Sequence, residues 1–559
     1  MTSTSTSNST TSTSTSTIMT EYANIIVGAG PAGLQLGYFF QKQNIKYLII
    51  ERSDICASFF NKYPHSKQLI SLNKAFTGKD DADFNLRHDW NSLLNDESLL
   101  FKQYSEELYP NSTALYSYLN DFANNNKLNI QYNTTITQIN KLENKKYELI
   151  INSELKYHCS KLIMATGLSI QNLPNIQFKH SDGTETGTNK IKHYGDYPSG
   201  YFTDKSILHN YKGKKVLLIG GGNASYELAN ILQSYCSNII IMGSKKDVAI
   251  VSHYTGDIRS IYLPFLDTFY LKSMNGIDKM DKDSKLMIIQ NKDINDKNYG
   301  KYKLSSNGLC HIYEDTHDLE CYDEIIYCTG WKFDNNIFKF ELNTTINNKF
   351  PEINAKYESV NNQNLFFIGS LMHSRDFKKS SGGFIHGFRY LIKLFTQVNF
   401  GMPFKIHKFK FDGTLNSYVH LADHMFRRIN FASSIYQMYG VLKDIYYFNK
   451  ETNEIIYYED ITMDIFVNII NDNNNDNNIK HINCLHLVYG DKIYDVKQLG
   501  GFNKYNPVFL HPEIVICEKN LSITIVDKII FEEDLVADFK SAKFYDKIKR
   551  SLKYCSLII

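Results

Sequence analysis

The sequence lacks paired thiols, a large net charge and long apolar runs. Its nine cysteines are scattered, with no Cys-x-x-Cys or Cys-x-x-x-x-Cys spacing, although thiol exchange needs two sulfurs close together. A pair that forms only in the folded chain, such as Cys310 with Cys321, stays an alternative. The formal charge is only +2, which predicts no binding of nucleic acid. No run of about 18 apolar residues occurs, so no transmembrane helix is expected, and no metal site is predicted.

Neither a signal peptide nor a retrieval signal is recognisable at the ends of this sequence. Residues 1–20 are rich in Ser and Thr and predict a disordered tail, because they contain no apolar core of a signal peptide. The last residues, Leu557-Ile558-Ile559, do not form a retrieval signal of the Lys-Asp-Glu-Leu type. Taken by themselves, these two absences favour the cytoplasm.

Two glycine-rich turns are the most informative features present. The first glycine turn, Gly28-Ala29-Gly30-Pro31-Ala32-Gly33, follows the apolar strand Asn24–Val27 and precedes an apolar helix. This arrangement places a pyrophosphate on backbone N–H groups at a helix N-terminus. Glu51 ends the next strand about 20 residues further on, where a carboxylate accepts ribose hydroxyls. The predicted dinucleotide-binding residues here are Gly28, Gly30, Pro31, Ala32, Gly33, Glu51 and Arg52.

The second glycine turn, Gly220-Gly221-Gly222-Asn223-Ala224-Ser225, follows the apolar strand Val216–Ile219. Ser225 replaces the third glycine and is small enough to keep the helix close to the strand. The next strand ends in Ser244-Lys245-Lys246, and a hydroxyl with two cations suits the 2′-phosphate of NADP. The predicted NADPH-binding residues are Gly220, Gly222, Asn223, Ala224, Ser225, Ser244, Lys245 and Lys246. The alternative is that both lysines are simply solvated.

Further strands connect the two turns into one architecture. Two apolar strands close on Thr166-Gly167 and Thr329-Gly330, as in chains that cross between two nested nucleotide-binding domains. A third strand ends at Gly369, and Gly383 precedes a predicted helix over Phe384–Val398. The N-terminal partial positive charge of that helix suits the pyrimidine edge of a flavin.

The order of these motifs predicts an α/β fold with two nested Rossmann-like dinucleotide-binding domains and a C-terminal α+β region. The first domain is expected over 21–204 and 331–401, with the second inserted at 205–330. The C-terminal region is expected over 402–559. Within it, Leu415–Phe448 is predicted to be helical, while Cys484–Tyr489 and Leu521–Val526 alternate like strands.

Several segments resemble the FAD-dependent oxidoreductase domain-containing protein 2 family, also called the endoplasmic reticulum flavoprotein associated with degradation. They are the first glycine turn with Leu34-Gln35, Leu69–Lys74, Phe84–Leu94, Gln131–Thr135, Gly382–Tyr390 and Ser434–Leu442. The resemblance implies FAD at the first glycine turn and NADPH at the second. From the order of strands and turns, Thr166, Gly167, Gly369 and Gly383 are also predicted to contribute to cofactor binding. It also implies protein quality-control partners and the lumen of the endoplasmic reticulum.

That family is similar, more distantly, to the flavin-containing monooxygenases. In those enzymes an asparagine lies near the flavin N5 and the nicotinamide, and Asn73 is the matching position here. The alternative for Asn73 is a cap or turn residue. The monooxygenase signature Phe-x-Gly-x-x-x-His is missing before the second glycine turn, where Tyr197–Phe202 stands, and this counts against oxygenation of a substrate.

The motifs together predict an NADPH-dependent FAD oxidoreductase that passes a hydride from NADPH to FAD and then to oxygen or another acceptor. Oxygenation of an amine or sulfide ranks below oxidase or disulfide-relay activity. A flavin-bearing interaction protein in endoplasmic reticulum-associated degradation, with little turnover, is the alternative from another class. A one-nucleotide amine oxidase is a third, which the second glycine turn argues against.

Overall fold

The structure is a computed structural model. It describes residues 19–96, 99–152, 155–173, 177–180, 191–243, 276–279, 287–290, 322–412, 415–472, 479, 481–489, 510–519, 523–531 and 542–553. Most of the predicted N-terminal tail therefore lies outside the described residues.

Strands and helices alternate through the first half of the chain, and strands dominate its C-terminal region. The strands are β1 Met19–Val27, β2 Leu48–Ile50, β3 Ile130–Gln131, β4 Ile136–Lys141, β5 Tyr147–Ile151, β6 Leu155–Met164, β7 Ile170–Gln171, β8 Gln177–His180, β9 Ile191–His193, β10 Lys215–Ile219, β11 Asn238–Gly243, β12 Gly276–Lys279, β13 Met287–Gln290, β14 Glu324–Tyr327, β15 Trp331–Lys332, β16 Thr344–Thr345, β17 Phe350–Pro351, β18 Leu365–Phe367, β19 Ile406–Lys410, β20 Lys443–Asn449, β21 Glu454–Ile461, β22 His481–Val488, β23 His511–Lys519 and β24 Ile523–Ile530. The helices are α1 Pro31–Lys42, α2 Ser58–Lys62, α3 Ala82–His88, α4 Ser112–Asn125, α5 Lys205–Leu208, α6 Asn223–Leu232, α7 Ile385–Phe400, α8 Leu415–Phe431, α9 Ser433–Gln437, α10 Met463–Asp472 and α11 Ala542–Lys553.

The first sheet has the strand order β3-β2-β1-β6-β5-β4, and β18 also pairs with β6. Strands β1, β2, β3, β6 and β18 run parallel to one another, whereas β5 pairs antiparallel with β6 and β4 pairs antiparallel with β5. Apolar side chains of the parallel strands are buried on both faces, for example Ile25, Ile26 and Ile49. This burial is typical of strands covered by helices on each side.

The second sheet has the order β12-β11-β10-β14-β9 and is parallel throughout. Its central strands carry the apolar runs that precede the second glycine turn and the Thr329-Gly330 turn. Along the chain it lies between β6 and β18, which are neighbours in the first sheet. The described residues therefore show the predicted α/β class with two Rossmann-like sheets, one interrupting the other.

The third sheet is antiparallel, with the order β19-β21-β20-β22-β23-β24. The predicted strands near Cys484 and Ile523 are present as β22 and β24. The prediction of helix through Phe448 is wrong, because helical structure ends at Gln437 and β20 follows. Gly440, at φ +70°, turns the chain between them, a conformation that glycine adopts without steric cost.

A large apolar core underlies the first sheet and continues into side chains of the third, including Ile445, Ile461 and Cys484. A separate core, with Val216, Leu218 and Ile241, lies beneath the second sheet. None of the described helices is long and apolar enough to cross a membrane.

Candidate functional site

The first glycine turn packs tightly against neighbouring backbone at Gly28 and Gly33, and it borders free space at Gly30. Gly28 has φ +105°, and a Cβ there would lie 2.9 Å from the carbonyl oxygen of Ala165. A Cβ on Gly33 would lie 2.0 Å from the Gly28 carbonyl oxygen, whereas no atom of the described residues lies within 4 Å of the Cβ position of Gly30. Glycine is thus needed at two positions for packing, and at Gly30 its absent side chain leaves free space.

The N-terminus of α1 borders this free space without a capping side chain. Gly30 is the N-cap, Pro31 stands at the start of the helix, and the first turn contains no acidic residue. The first N–H groups of a helix have no partner within it, and they carry the positive end of the helix dipole. These residues fit the pyrophosphate of FAD, since this kind of helix end binds phosphate oxygens.

Glu51 lies beside the first glycine turn. Its Oε2 accepts a hydrogen bond from the Ala29 N–H at 2.8 Å, and its Oε1 accepts one from the Ser53 N–H at 2.9 Å. The side chain is 8% exposed, and each carboxylate oxygen can accept a further bond. The structure therefore brings Glu51 to the turn, while the neighbouring Arg52 is exposed.

The ends of β6 and β18 meet the start of α1. Gly167, at φ +64°, follows β6 and Thr166, and its Cβ position is 3.4 Å from Ser370 Oγ. Gly369 has φ +72°, and a Cβ there would lie 2.5 Å from the Cβ of Ala32. These residues therefore gather at the carboxyl ends of parallel strands, where α/β folds bind their ligands.

Gly383 lies in a turn held by a buried pair that the sequence analysis missed. His373 Nδ1 is 3.0 Å from Asp376 Oδ1, and Asp376 Oδ2 accepts a hydrogen bond from the Gly382 N–H at 2.8 Å. A Cβ on Gly383 would lie 2.8 Å from His373 Cδ2. The helix α7 follows, and its N-cap Phe384 makes no side-chain cap. The spacing of His373 and Asp376, three residues apart just after β18, was the available signal.

The second glycine turn repeats the design of the first. Gly220 has φ +128°, and a Cβ there would lie 2.4 Å from the Cys328 carbonyl oxygen. The buried Ser225 hydroxyl donates to the Gly220 carbonyl, which explains how serine replaces the third glycine. Gly222, the N-cap of α6, has an open Cβ position. The half-buried Asn223 and Ala224 begin the helix.

Ser244, Lys245 and Lys246 lie outside the described residues. Strand β11 ends just before them at Gly243, whose Cα is 3.6 Å from the Cβ position of Gly221. Their predicted contact with a 2′-phosphate stays a prediction.

The Asn73 side chain is buried, and its hydrogen bonds are to neither of the glycine turns. Its Nδ2 donates to the carbonyl oxygens of Ser105 at 2.7 Å and Glu107 at 3.1 Å. Its Oδ1 has no hydrogen-bond partner among the described residues. The side chain lines a cavity of about 130 Å³ with Leu86 and Asp89. The amide therefore holds the 105–107 loop, and its predicted place beside a flavin stays a prediction.

A polar junction of His65, Ser66, Tyr194 and Glu227 joins α6 to the segment after α2. The buried Glu227 carboxylate accepts from the Ser66 N–H at 2.6 Å and from the Tyr194 hydroxyl at 2.9 Å. Burial raises the pKa of Glu227. His65 is fully buried, with Nε2 2.9 Å from the Tyr194 carbonyl oxygen, and burial lowers its pKa to about 4. No sequence motif links these residues, because they come from three segments of the chain that are more than 30 positions apart.

The buried His65 predicts a measurable loss of stability in mild acid. Between pH 6.5 and 4 an unfolded chain binds a proton at His65 and the folded chain does not, so folding weakens as pH falls. His65→Asn should remove on the order of 2–3 kcal/mol of that pH dependence. Urea unfolding of both proteins at pH 7.5 and 5 measures it. Identical pH slopes would show that His65 is protonated in the folded chain.

The described cysteines Cys56, Cys236 and Cys328, in the region of the first two sheets, are buried or half-buried thiols. Burial raises the pKa of Cys56 to about 11 and the pKa values of Cys236 and Cys328 to about 12. Such groups are thiols at neutral pH and poor nucleophiles. Cys484 and Cys517 lie on adjacent strands of the third sheet, where a hydrogen bond from Cys484 lowers the pKa of Cys517.

Cys310 and Cys321, the pair considered from the sequence, lie outside the described residues. The described residues around the two glycine turns thus offer nucleotide sites without a reactive dithiol.

Comparison with known proteins supports the same arrangement. A family model described as pyridine nucleotide-disulphide oxidoreductase matches residues 25–369, which include both glycine turns. FAD-dependent oxidoreductase domain-containing protein 2 of Mus musculus is 35% identical over 473 residues, covering 79% of this chain and 67% of that protein. Its Danio rerio counterpart is 31% identical over 468 residues, covering 77% and 65%. The chain spans about two thirds of the length of these relatives.

Among solved structures, a flavin-containing monooxygenase from Stenotrophomonas maltophilia is similar with a TM-score of 0.47. The sequence identity is 15%, and the match covers 68% of this chain and 99% of that one.

Proposed function

Because the chain belongs to the pyridine nucleotide-disulphide oxidoreductase family, we propose that it is an NADPH-dependent FAD flavoprotein that transfers a hydride from NADPH to FAD and passes the electrons to oxygen or another acceptor. The observation that carries the proposal is the pair of uncapped helix N-termini, each behind a glycine turn with an open Cβ position at Gly30 or Gly222. One site holds the cofactor that is reduced, and the other holds its reductant.

The chain's own residues bind and orient the two nucleotides. Backbone N–H groups at the start of α1 bind the FAD pyrophosphate, and Glu51 accepts hydroxyls of its ribose. The N-terminus of α6 binds the NADPH pyrophosphate, with Lys245 and Lys246 opposite the 2′-phosphate. The bound flavin supplies the electron chemistry, while the protein positions it and tunes its surroundings.

The acceptor is proposed to be oxygen or a molecule from outside the chain. This part of the proposal is supported by the raised pKa values of Cys56, Cys236 and Cys328, which keep these thiols protonated at neutral pH. They leave no reactive thiol pair among the described residues of the first two sheets. Oxygenation of an amine or sulfide ranks second, and its sign would be a substrate-dependent product that carries labelled oxygen.

An anaerobic titration with NADPH, followed by flavin absorbance, tests the proposal. We expect NADPH to reduce the flavin of the wild-type protein, so that its visible absorbance is lost. Gly222→Val should stay yellow, because Gly222 has φ −102° and ψ −177°, which valine adopts, and its side chain would fill the open phosphate space. A wild-type chain that keeps its flavin but is not bleached would instead be a flavin-bearing interaction protein. A colourless chain that takes up no added FAD would contradict both.

Lys245→Glu combined with Lys246→Glu should separate NADPH from NADH. Loss of two charge-assisted contacts to a 2′-phosphate should raise the Kd of NADPH at least about tenfold. The Kd of NADH, which has no 2′-phosphate, should change little. Fluorescence titration of both nucleotides measures this, and equal changes in the two constants would remove the 2′-phosphate assignment.

The family resemblance extends the proposal to protein quality control in endoplasmic reticulum-associated degradation. The lumen of that compartment is the location that the resemblance implies, and the cytoplasm is the alternative that the sequence favours. Protease protection in sealed microsomes tests the location, and complete digestion without detergent would contradict it.

A further inference from the structure

Two imidazoles and one carboxylate converge in the C-terminal region, far from the glycine turns along the chain. His407 comes from β19, His424 from α8 and Glu459 from β21. His407 Nε2 lies 2.7 Å from Glu459 Oε1, and His424 Nε2 lies 3.3 Å from the same oxygen. One ligand atom from each residue can be chosen so that all three lie within 4.8 Å of one another. Three separate elements thus direct donor atoms at one point.

The two oxygens of the Glu459 carboxylate have different surroundings. Lys405 Nζ is 2.9 Å and Arg428 Nη1 is 3.3 Å from Oε2, so Oε1 is the oxygen that faces the rings. The buried Asp444 also forms an ion pair with Arg428, and its negative charge compensates the positive charge of the guanidinium.

Space for a further ligand adjoins the three side chains. A cavity of about 190 Å³ is lined by them together with Asp83 and Phe431. Within it His424 Nε2 is a buried nitrogen outside hydrogen-bond geometry with any described residue. When the neutral ring carries its proton on Nδ1, this nitrogen has a lone pair that can be given to a metal ion.

We propose that His407, His424 and Glu459 bind one divalent transition-metal ion of the zinc class, with a water in the cavity as a further ligand. Two imidazoles select this class over Mg²⁺ or Ca²⁺, which prefer oxygen ligands. Bonds of about 2.0–2.2 Å to a tetrahedral ion place ligand atoms roughly 3.3 Å apart. The distances from Glu459 Oε1 to the two histidine nitrogens, 2.7 and 3.3 Å, are near that value.

Equilibrium dialysis of the untagged full-length holoprotein against Zn²⁺, followed by elemental analysis, tests the proposal. We expect the wild-type protein to bind about one zinc ion per chain. The double variant His407→Ala/His424→Ala should not bind this ion. Each single variant should weaken binding at least about tenfold, since altering even an outer partner of a metal costs that much. His420→Ala, which removes an exposed histidine of the same helix, should bind zinc like the wild type.

The double variant also separates this site from adventitious binding to cysteine. His407 and His424 are not fully buried, and retained FAD together with an unchanged near-ultraviolet circular dichroism spectrum reports an intact fold. Equal zinc content in the wild type and the folded double variant would overturn the proposal, as would a wild type that binds none. If the double variant loses its fold, the comparison of His407→Ala with His420→Ala decides in the same way.

Discussion

Replacing Gly30 with valine should give a folded chain that purifies with less than about a tenth of its FAD, because the new side chain fills the space at the helix N-terminus that a pyrophosphate needs. The backbone at Gly30 has φ −78° and ψ −179°, which valine adopts without strain. In the part of the chain that the structure describes, no atom lies within 4 Å of the Cβ position of Gly30. The substitution therefore weakens binding of the FAD pyrophosphate and leaves the packing of the protein unchanged.

Flavin absorbance relative to protein absorbance measures this result, and circular dichroism reports the fold. Two other glycines provide the controls. Gly222→Val makes the same change at the second glycine turn and should keep its FAD. Gly33→Ala puts a methyl group 2.0 Å from the Gly28 carbonyl oxygen and should impair folding itself. A folded Gly30→Val protein with full FAD content would remove the first glycine turn from the FAD site.

Arg389→Met should lower the free energy of unfolding by roughly 2–6 kcal/mol. Arg389 lies on α7 with no exposed surface, and its Nη1 and Nη2 donate to the carbonyl oxygens of Ser92 and Leu86, each at 2.7 Å. Methionine replaces much of the apolar stem but leaves the buried Ser92 carbonyl and the half-buried Leu86 carbonyl without this donor, at a cost of about 1–3 kcal/mol each. Urea unfolding at saturating FAD measures the change.

Arg427→Met is the matched control for that variant. Arg427 is an exposed arginine on α8 whose Nη2 lies 3.0 Å from Asp81 Oδ2. Exposed ion pairs contribute at most about 1 kcal/mol, so this variant should be close to the wild type. Equal losses in the two variants would mean that the Ser92 and Leu86 carbonyls find other donors when Arg389 is absent.

The two glycine turns were predictable because their chemistry is local. Gly28 and Gly220 have positive φ, and each lies against the backbone that follows a neighbouring strand of its sheet. Only glycine combines this backbone conformation with so close a contact. The pattern of strand, glycines and helix therefore appears in a short stretch of sequence. Ser225 was correctly interpreted as a small substitute, but its hydrogen bond to the Gly220 carbonyl could be found only in the structure.

The features that were missed depend on contacts between distant segments. Glu227 meets Ser66 across 161 positions, and Arg389 meets Leu86 across 303. His407, His424 and Glu459 become neighbours only when the third sheet forms. The wrong helix prediction has a local cause, since Lys443–Asn449 contains four apolar residues in a row. Such a run fits a buried strand as well as a helix, and Gly440 was the stop signal that separates the two.

The insertion of the second sheet between β6 and β18 has a consequence for synthesis on the ribosome. Strand β18 pairs with residues Leu162–Met164 of β6, yet about 200 residues separate the two strands along the chain. At translation rates of about 5–20 residues per second, this stretch of β6 waits roughly 10–40 s for its partner. Until then an apolar strand edge is open to other nascent chains, and the first nucleotide site cannot close around its ligand before Gly369 has emerged.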